Sequence, residues 1–229
     1  MEIRKILEYL QDGDRVLDVG CANGYSTVQF ASQRKLTITG LDYIPEMIAH
    51  ANLRLRDLAG IRDRVAFGVG NITALDQPDA AYDKLTVIRV VINLGAWENQ
   101  LKALRECMRV LKPGGMLLLS EATLQGWRKL NEFRSEWNLP EIPMPPFNNY
   151  LDEDRVVRAV QDSMELVELV NFASSYYVGT RVVKPLLARA LGDGVDVADP
   201  KMHWNRWCAE LPPAGDYGTQ KLFVFRKKN

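Results

Sequence analysis

The sequence predicts a single α/β domain over residues 1–229, built on a mostly parallel sheet with helices on its faces. Three observations predict it. Short apolar runs alternate with segments whose apolar residues recur every three or four positions. Those runs carry little polar interruption, as strands buried on both faces do. The first run ends near Asp18 and opens onto Gly20 and Gly24, the punctuation of a sharp strand-to-helix turn.

Each element follows in order. Residues 2–10 place Ile3, Ile6, Leu7 and Leu10 on one side of a helix that Gln11-Asp12-Gly13-Asp14 stops. Arg15 to Val19 is the first strand, and the glycine turn after it opens a helix near Ser26. Leu36 to Leu41 is the second strand. Pro45, suited to an early helical position, then starts a helix striped by Met47, Ile48, Ala51 and Leu55. Val65 to Val69, Lys84 to Ile88 and Met116 to Ser120 are the next three strands; the helix Trp97 to Leu111 precedes the last of them and ends at Pro113-Gly-Gly115.

Beyond this point the alternation loosens. Residues 125–137 and Asp152 to Asp162 read as helices, Glu165 to Phe172 as a sixth strand, Val178 to Leu191 as a helix and Lys221 to Phe225 as the last strand. The segments 122–160 and 174–218 read as insertions that form a helical cover over one end of the sheet. Pro143, Pro145, Pro146 and Phe147 hold the irregular stretch from Pro140 to Tyr150 against the fold, and the turn residues between Leu211 and Gly218 predict a rigid loop after His203-Trp-Asn-Arg-Trp207.

The 29 basic and 29 acidic side chains cancel, so no global field draws the chain to nucleic acid or an anionic membrane. Cys21, Cys107 and Cys208 fit neither a zinc spacing nor a disulfide framework. With no long apolar run and no signal-peptide core, a cytoplasmic protein without a metal is expected.

Two features carry chemistry. A strand ending in an acid and followed by Gly20 and Gly24 brings backbone N–H groups toward a ligand where a Cβ would intrude. Asp42 closes the second strand, and a carboxylate there accepts hydrogen bonds from adjacent ribose hydroxyls. Together they indicate an adenosine-containing cofactor across the carboxyl ends of strands one and two. A nicotinamide dinucleotide ranks second, because counting from Gly20 puts Ala22 and Tyr25 where its fingerprint wants glycine.

On Val16-Leu-Asp-Val-Gly-Cys-Ala-Asn-Gly24, Gly40-Leu-Asp42, Gly70-Asn-Ile72 and Arg109-Val-Leu-Lys-Pro-Gly-Gly115, residues 14–121 resemble the class I S-adenosylmethionine-dependent methyltransferases. The resemblance implies a Rossmann-like, seven-stranded sheet of order 3-2-1-4-5-7-6 whose last strand alone is antiparallel. It implies that Asp18, Gly20 and Gly24 surround the methionine end of S-adenosyl-L-methionine. Asp42 would hold the ribose and Met47, Asn71 and Ile72 the adenine, with Cys21, Ala22, Tyr43 and Arg89 also on the cofactor side. The family often has glycine where Ala22 stands and aspartate where Asn71 stands, and many members carry a longer leading segment than the fifteen residues before Val16. Either the later insertions close the site here, or the chain is part of a longer protein.

The resemblance places the methyl acceptor beyond strands four and five. Arg89 then reads as an anion binder or a structural ion pair, and Glu121 as a base or a helix-start acid. The catalytic candidates are Glu121, His203 and Tyr150. Candidates for the acceptor pocket are Asn93, Trp127, Asn131, Arg134, Asn148, Tyr150, Tyr176, Tyr177, Arg181, His203, Asp216 and Tyr217. The expected activity is methyl transfer to an N or O atom of a small polar or anionic molecule; RNA, a protein side chain, or cofactor binding without catalysis are the alternatives. Neither a nucleic-acid nor a membrane partner is favoured.

Overall fold

The computed structural model describes residues 1–192 and 203–229. Among these residues one sheet contains β1 (Arg15–Val19), β2 (Thr37–Asp42), β3 (Val65–Val69), β4 (Tyr82–Ile88), β5 (Leu111–Ala122), β6 (Met164–Val170) and β7 (Gln220–Lys227). The strand order is β3-β2-β1-β4-β5-β7-β6, with β7 antiparallel to both neighbours, as the resemblance implies. Because β1 pairs with β2 on one side and β4 on the other, its carboxyl end lies where the chain reverses direction across the sheet.

The helices are α1 (Glu2–Leu7), α2 (Tyr25–Gln33), α3 (Pro45–Arg56), α4 (Trp97–Val110), α5 (Leu124–Glu136), α6 (Glu153–Val160), α7 (Ser174–Val178), α8 (Lys184–Leu191) and α9 (His203–Cys208). Alternation along the strands builds two cores. Val16, Leu118, Leu222 and Val224 pack with Ile6, Phe30 and Leu55 of α1 to α3 on one face. Leu17, Leu117, Leu119, Phe223 and Phe225 pack with Leu104 of α4 and Val156 and Val160 of α6 on the other. Both faces of each central strand are therefore apolar, and at about 1.5–3 kcal/mol per fully buried large side chain these two layers dominate the stability of the fold.

The late segments differ from expectation in two places. Helix α6 belongs to the main core through Val156 and Val160, so only α5 and the stretch before Leu151 act as cover within 122–160. The single helix expected over Val178 to Leu191 is α7 and α8 joined by a π-helical turn, Gly179–Val183. Pro185 has no N–H for the carbonyl of Arg181, and the Arg134 guanidinium bonds that carbonyl instead. Ahead of the loop expected between Leu211 and Gly218, helix α9 directs Trp204 Nε1 to the carbonyl of Gly179 at 3.0 Å. Within the expected 174–218 insertion, residues 193–202 lie outside the described residues. No helix among the described residues is long and apolar enough to cross a membrane.

Candidate active site

A cavity of about 1180 Å³ opens at the carboxyl ends of β1, β2 and β4. Its wall includes Gly20, Cys21 and Ala22 after β1, Asp42 and Tyr43 after β2, Asn71 and Ile72 after β3, and Arg89 and Asn93 after β4. These residues, chosen from sequence, come together at one site.

The turn after β1 is tightly built. Gly20 and Gly24 have φ of +77° and +74°, and Ala22 also takes a left-handed backbone at +46°. The glycines are required by protein packing: a Cβ on Gly20 would lie 2.1 Å from Val90 Cγ2, and one on Gly24 would lie 2.6 Å from the Phe67 ring. Gly20 lines the cavity and Gly24 does not. Asp18 is also placed beneath the turn rather than on the wall. Its Oδ2 accepts from Thr27 Oγ1 at 2.6 Å and Ser26 Oγ at 3.0 Å, and its Oδ1 from Thr86 Oγ1 at 2.7 Å. Burial raises its carboxyl above the usual range, against the pull of those hydroxyls. Asp18 therefore locks β1 to α2 and β4, and reaches a ligand only through Ser26, which lines the cavity.

Asp42 fixes the neighbouring wall. Its Oδ2 accepts from Ala22 N at 2.8 Å and its Oδ1 from Ile44 N at 2.9 Å, so each oxygen keeps a lone pair. Asn71 Oδ1 accepts from Thr73 N and Thr73 Oγ1, both at 2.9 Å, which leaves Nδ2 as its free group. Met47 is on the exposed face of α3 and does not reach the wall. A carboxylate with two free lone pairs, a free amide donor, the Ser26 hydroxyl and the apolar flank of Ile44 and Ile72 form a donor set that fits the ribose, purine and amino-acid parts of S-adenosylmethionine.

At the opposite end of the cavity, Arg89 holds a φ of +56°. Its guanidinium is 3.7 Å from Glu2 Oε2, and Glu2 Oε1 accepts from Ser120 Oγ at 2.5 Å and Gln220 Nε2 at 3.3 Å. Glu2, Ile3 and Arg4 of α1 and Gln29 of α2 complete this wall. None was chosen from sequence. Glu2 meets Ser120 across 118 positions of chain, and no local pattern signals such a contact.

Most of the expected acceptor residues have other work. Trp127 Nε1 and Asn131 Nδ2 donate to the carbonyl of Ile142, and Arg134 donates to the carbonyls of Pro140 and Arg181. Asn148 Nδ2 donates to Asn93 Oδ1 at 2.7 Å, at the margin of the cavity. Tyr150 packs against the main core, and burial raises its hydroxyl pKa. Tyr176 and Tyr177 meet edge to face, and burial pushes Tyr177 up to about 12. Tyr217 stacks on Phe133 at 4.6 Å, beside a smaller apolar cavity within the cover. Asp216 is paired with Lys129 and with Lys221, itself buried. His203 is exposed on α9, and neither it nor Arg181 lines the larger cavity. Of these, Trp127, Asn131 and Arg134 tie α5 to the irregular chain at 139–150, whose backbone needs partners.

Glu121 is fully buried and also off the wall. Its Oε1 accepts from Val90 N at 2.8 Å and Val91 N at 2.7 Å, while Oε2 has no partner. Burial pushes its carboxyl up to about 8, against the opposing pull of the Val91, Val90 and Ile92 N–H groups. It has no path to an acceptor as a base.

A sheet of this order with a cofactor cavity across its first two strands defines a class, and comparison with known proteins agrees. The methyltransferase domain family matches residues 16–115. The 27-O-demethylrifamycin SV methyltransferase of Amycolatopsis mediterranei is 33% identical over 115 residues, 50% of this chain and 41% of that protein. Among solved structures, the 4+2 cyclase SpnF superposes with a TM-score of 0.67 at 20% identity, covering 99% of this chain and 80% of that one. Geranyl diphosphate methyltransferase in complex with S-adenosylmethionine superposes with a TM-score of 0.61 at 15% identity, covering 99% and 84%. At such identities the structures show the fold alone. The chain spans about two-fifths of the length of the curated relatives it matches. Residues 16–115 carry the methyltransferase domain, on a sheet with the strand order of the class I S-adenosylmethionine-dependent methyltransferases.

Proposed function

We propose that this chain transfers a methyl group from S-adenosylmethionine to an N or O atom of a small polar or anionic acceptor. One observation carries the reading: the cavity runs without interruption from Asp42 and Asn71 to Glu2, Arg89 and Asn93, which leaves room for a second molecule beside the cofactor. S-adenosylmethionine supplies an electrophilic methyl on a sulfonium, so the chain's task is largely to hold a nucleophile about 3 Å away and in line.

In this reading Asp42 accepts from the ribose hydroxyls, and the Asn71 amide donates to a purine nitrogen. Arg89 faces the acceptor with a guanidinium that is mostly exposed, suited to a carboxylate or phosphate. Glu2 and Asp42 are the two carboxylates on the cavity wall among the described residues. With Asp42 at the ribose, Glu2 Oε2 is the oxygen placed to take the proton that a hydroxyl or ammonium acceptor must lose. Incubating the chain with pooled metabolites and isotopically labelled methyl donor, then identifying labelled products by mass, tests the proposal. Label in a small anionic product supports it; label only in RNA or in a protein sinks it in favour of a macromolecular acceptor.

A further inference from the structure

We infer that Glu121 is a positioning residue: by holding the turn at 89–93 it sets one wall of the cofactor cavity and ties that wall to the cover. This inference rests on the methyltransferase reading but concerns a group that reading does not use.

The turn is a junction. On one side Val90 presses so closely on Gly20 that no side chain fits there. On the other, the carbonyl of Ile92 accepts from Asn149 N at 2.7 Å, and Gln100 Nε2 bridges the carbonyls of Val91 and Asn149 at 3.3 and 2.7 Å. Arg89, at its start, sits in a left-handed backbone that a residue with a side chain enters at a cost of about 1 kcal/mol or more and keeps only where its surroundings over-determine it. Four bonds do so here. Arg89 N donates to the Ser120 carbonyl, Asn93 Nδ2 donates to the Arg89 carbonyl, and the next two N–H groups converge on Glu121 Oε1. Glu121 alone among these anchors is a buried ionisable group, and it comes from the adjacent strand β5. An apolar side chain would fill that space without an unpartnered oxygen. Retention of the acid is explained by what Oε1 holds.

The charged and titratable groups around it are few. Glu2 approaches from α1 and disfavours a second negative charge, while Cys107 on α4 is a thiol that burial pushes up to about 12 and so stays neutral. Lys221 lies opposite Glu121 on β7 but sends its Nζ to Glu153 and Asp216 at 3.0 and 2.9 Å. The acid thus titrates as a single group under the turn, neutral below about 8 and ionised above it.

The experiment uses the full 229-residue chain and two variants. Glu121→Gln keeps a carbonyl acceptor and loses the titration; Glu121→Leu loses both. Calorimetric titration with S-adenosylhomocysteine is expected to give near wild-type affinity in E121Q, and a loss of about tenfold or more in E121L, from removal of an acceptor shared by two N–H groups. In nuclear magnetic resonance spectra the Val90 and Val91 amide protons should shift with a midpoint at about pH 8 in the wild type and stay flat in E121Q. A group that only fills space would not move those resonances. Hydrogen exchange at Val90, Val91 and Asn149 should quicken together in E121L. Wild-type affinity in a folded E121L, or amide resonances that do not titrate, overturns the assignment. If E121L does not fold, the pair of wild type and E121Q decides through the amide titration. Absence of S-adenosylhomocysteine binding by the wild type sinks the methyltransferase reading instead, and the amide titration still judges Glu121.

Discussion

Replacing Asp42 with alanine tests the cofactor assignment most directly. Each Asp42 oxygen holds one backbone N–H, from Ala22 at 2.8 Å and from Ile44 at 2.9 Å, and offers one further lone pair to the cavity. D42A therefore removes two acceptors for adjacent hydroxyls and also releases both ends of the ribose wall. Hydrogen bonds to a charged group contribute about 1.5–3 kcal/mol each, and water in the open cavity rehydrates the two ribose hydroxyls in D42A and offsets about half of the sum. The expected net loss is about 1.5–3 kcal/mol, or roughly 10- to 150-fold in affinity, for S-adenosylmethionine and S-adenosylhomocysteine alike. Asp42→Asn turns one acceptor into a donor facing a donor, and is expected to fare no better. Calorimetric titration measures both ligands, with thermal unfolding to establish that each variant is folded. Unchanged affinity in folded D42A would remove Asp42 from the ribose. Tight binding of a nicotinamide dinucleotide without binding of S-adenosylmethionine would overturn the cofactor itself.

Gly20→Ala places a Cβ against Val90 in a left-handed backbone, and should cost on the order of 2–4 kcal/mol in denaturant unfolding; a loss under half of that would mean the turn relaxes freely. Asp216 would be raised by burial alone, but Lys129, Asn171 and Lys221 bring its carboxyl down to about 2. Its folded value lies below its unfolded one, so its contribution to stability is complete above about pH 4 and is lost as pH falls through about 2. Asp216→Asn should flatten that part of the stability curve, and an unaltered acid limb would discount the cluster. Glu2→Gln should lower kcat by about 10²-fold, whereas His203→Gln should leave it intact; the reverse pattern would return the base to α9.

The two halves of the site were unequally legible for a physical reason. Around the cofactor, the controlling features are local. A turn that needs left-handed backbone at Gly20 and Gly24 requires glycine within a few residues of the strand end, and Asp42 caps its own loop two residues on, at Ile44. Such features are written in adjacent letters. Even there, the part played by each glycine was not legible, since Val90 approaches from the turn after β4 and Phe67 from β3, both far off in the chain. Around the acceptor, residue type misled. Trp127, Asn131, Arg134 and Asp216 are the amides, arginines and acids that a polar pocket would use, but the irregular chain at 139–150 and the loop before β7 have backbone groups and charges to satisfy. A fold that covers its sheet end with irregular chain consumes polar side chains in proportion. The cavity wall is supplied instead by other elements. Glu2 stands on α1, where Ser120 and Gln220 hold its Oε1 and Arg89 faces its Oε2, and Arg89 heads a turn anchored by Ser120, Asn93 and Glu121. Polar residues of α1 and of the turn after β4 are therefore better candidates for the acceptor than polar residues within the cover. The Glu2 and His203 variants put that rule to the test in one protein.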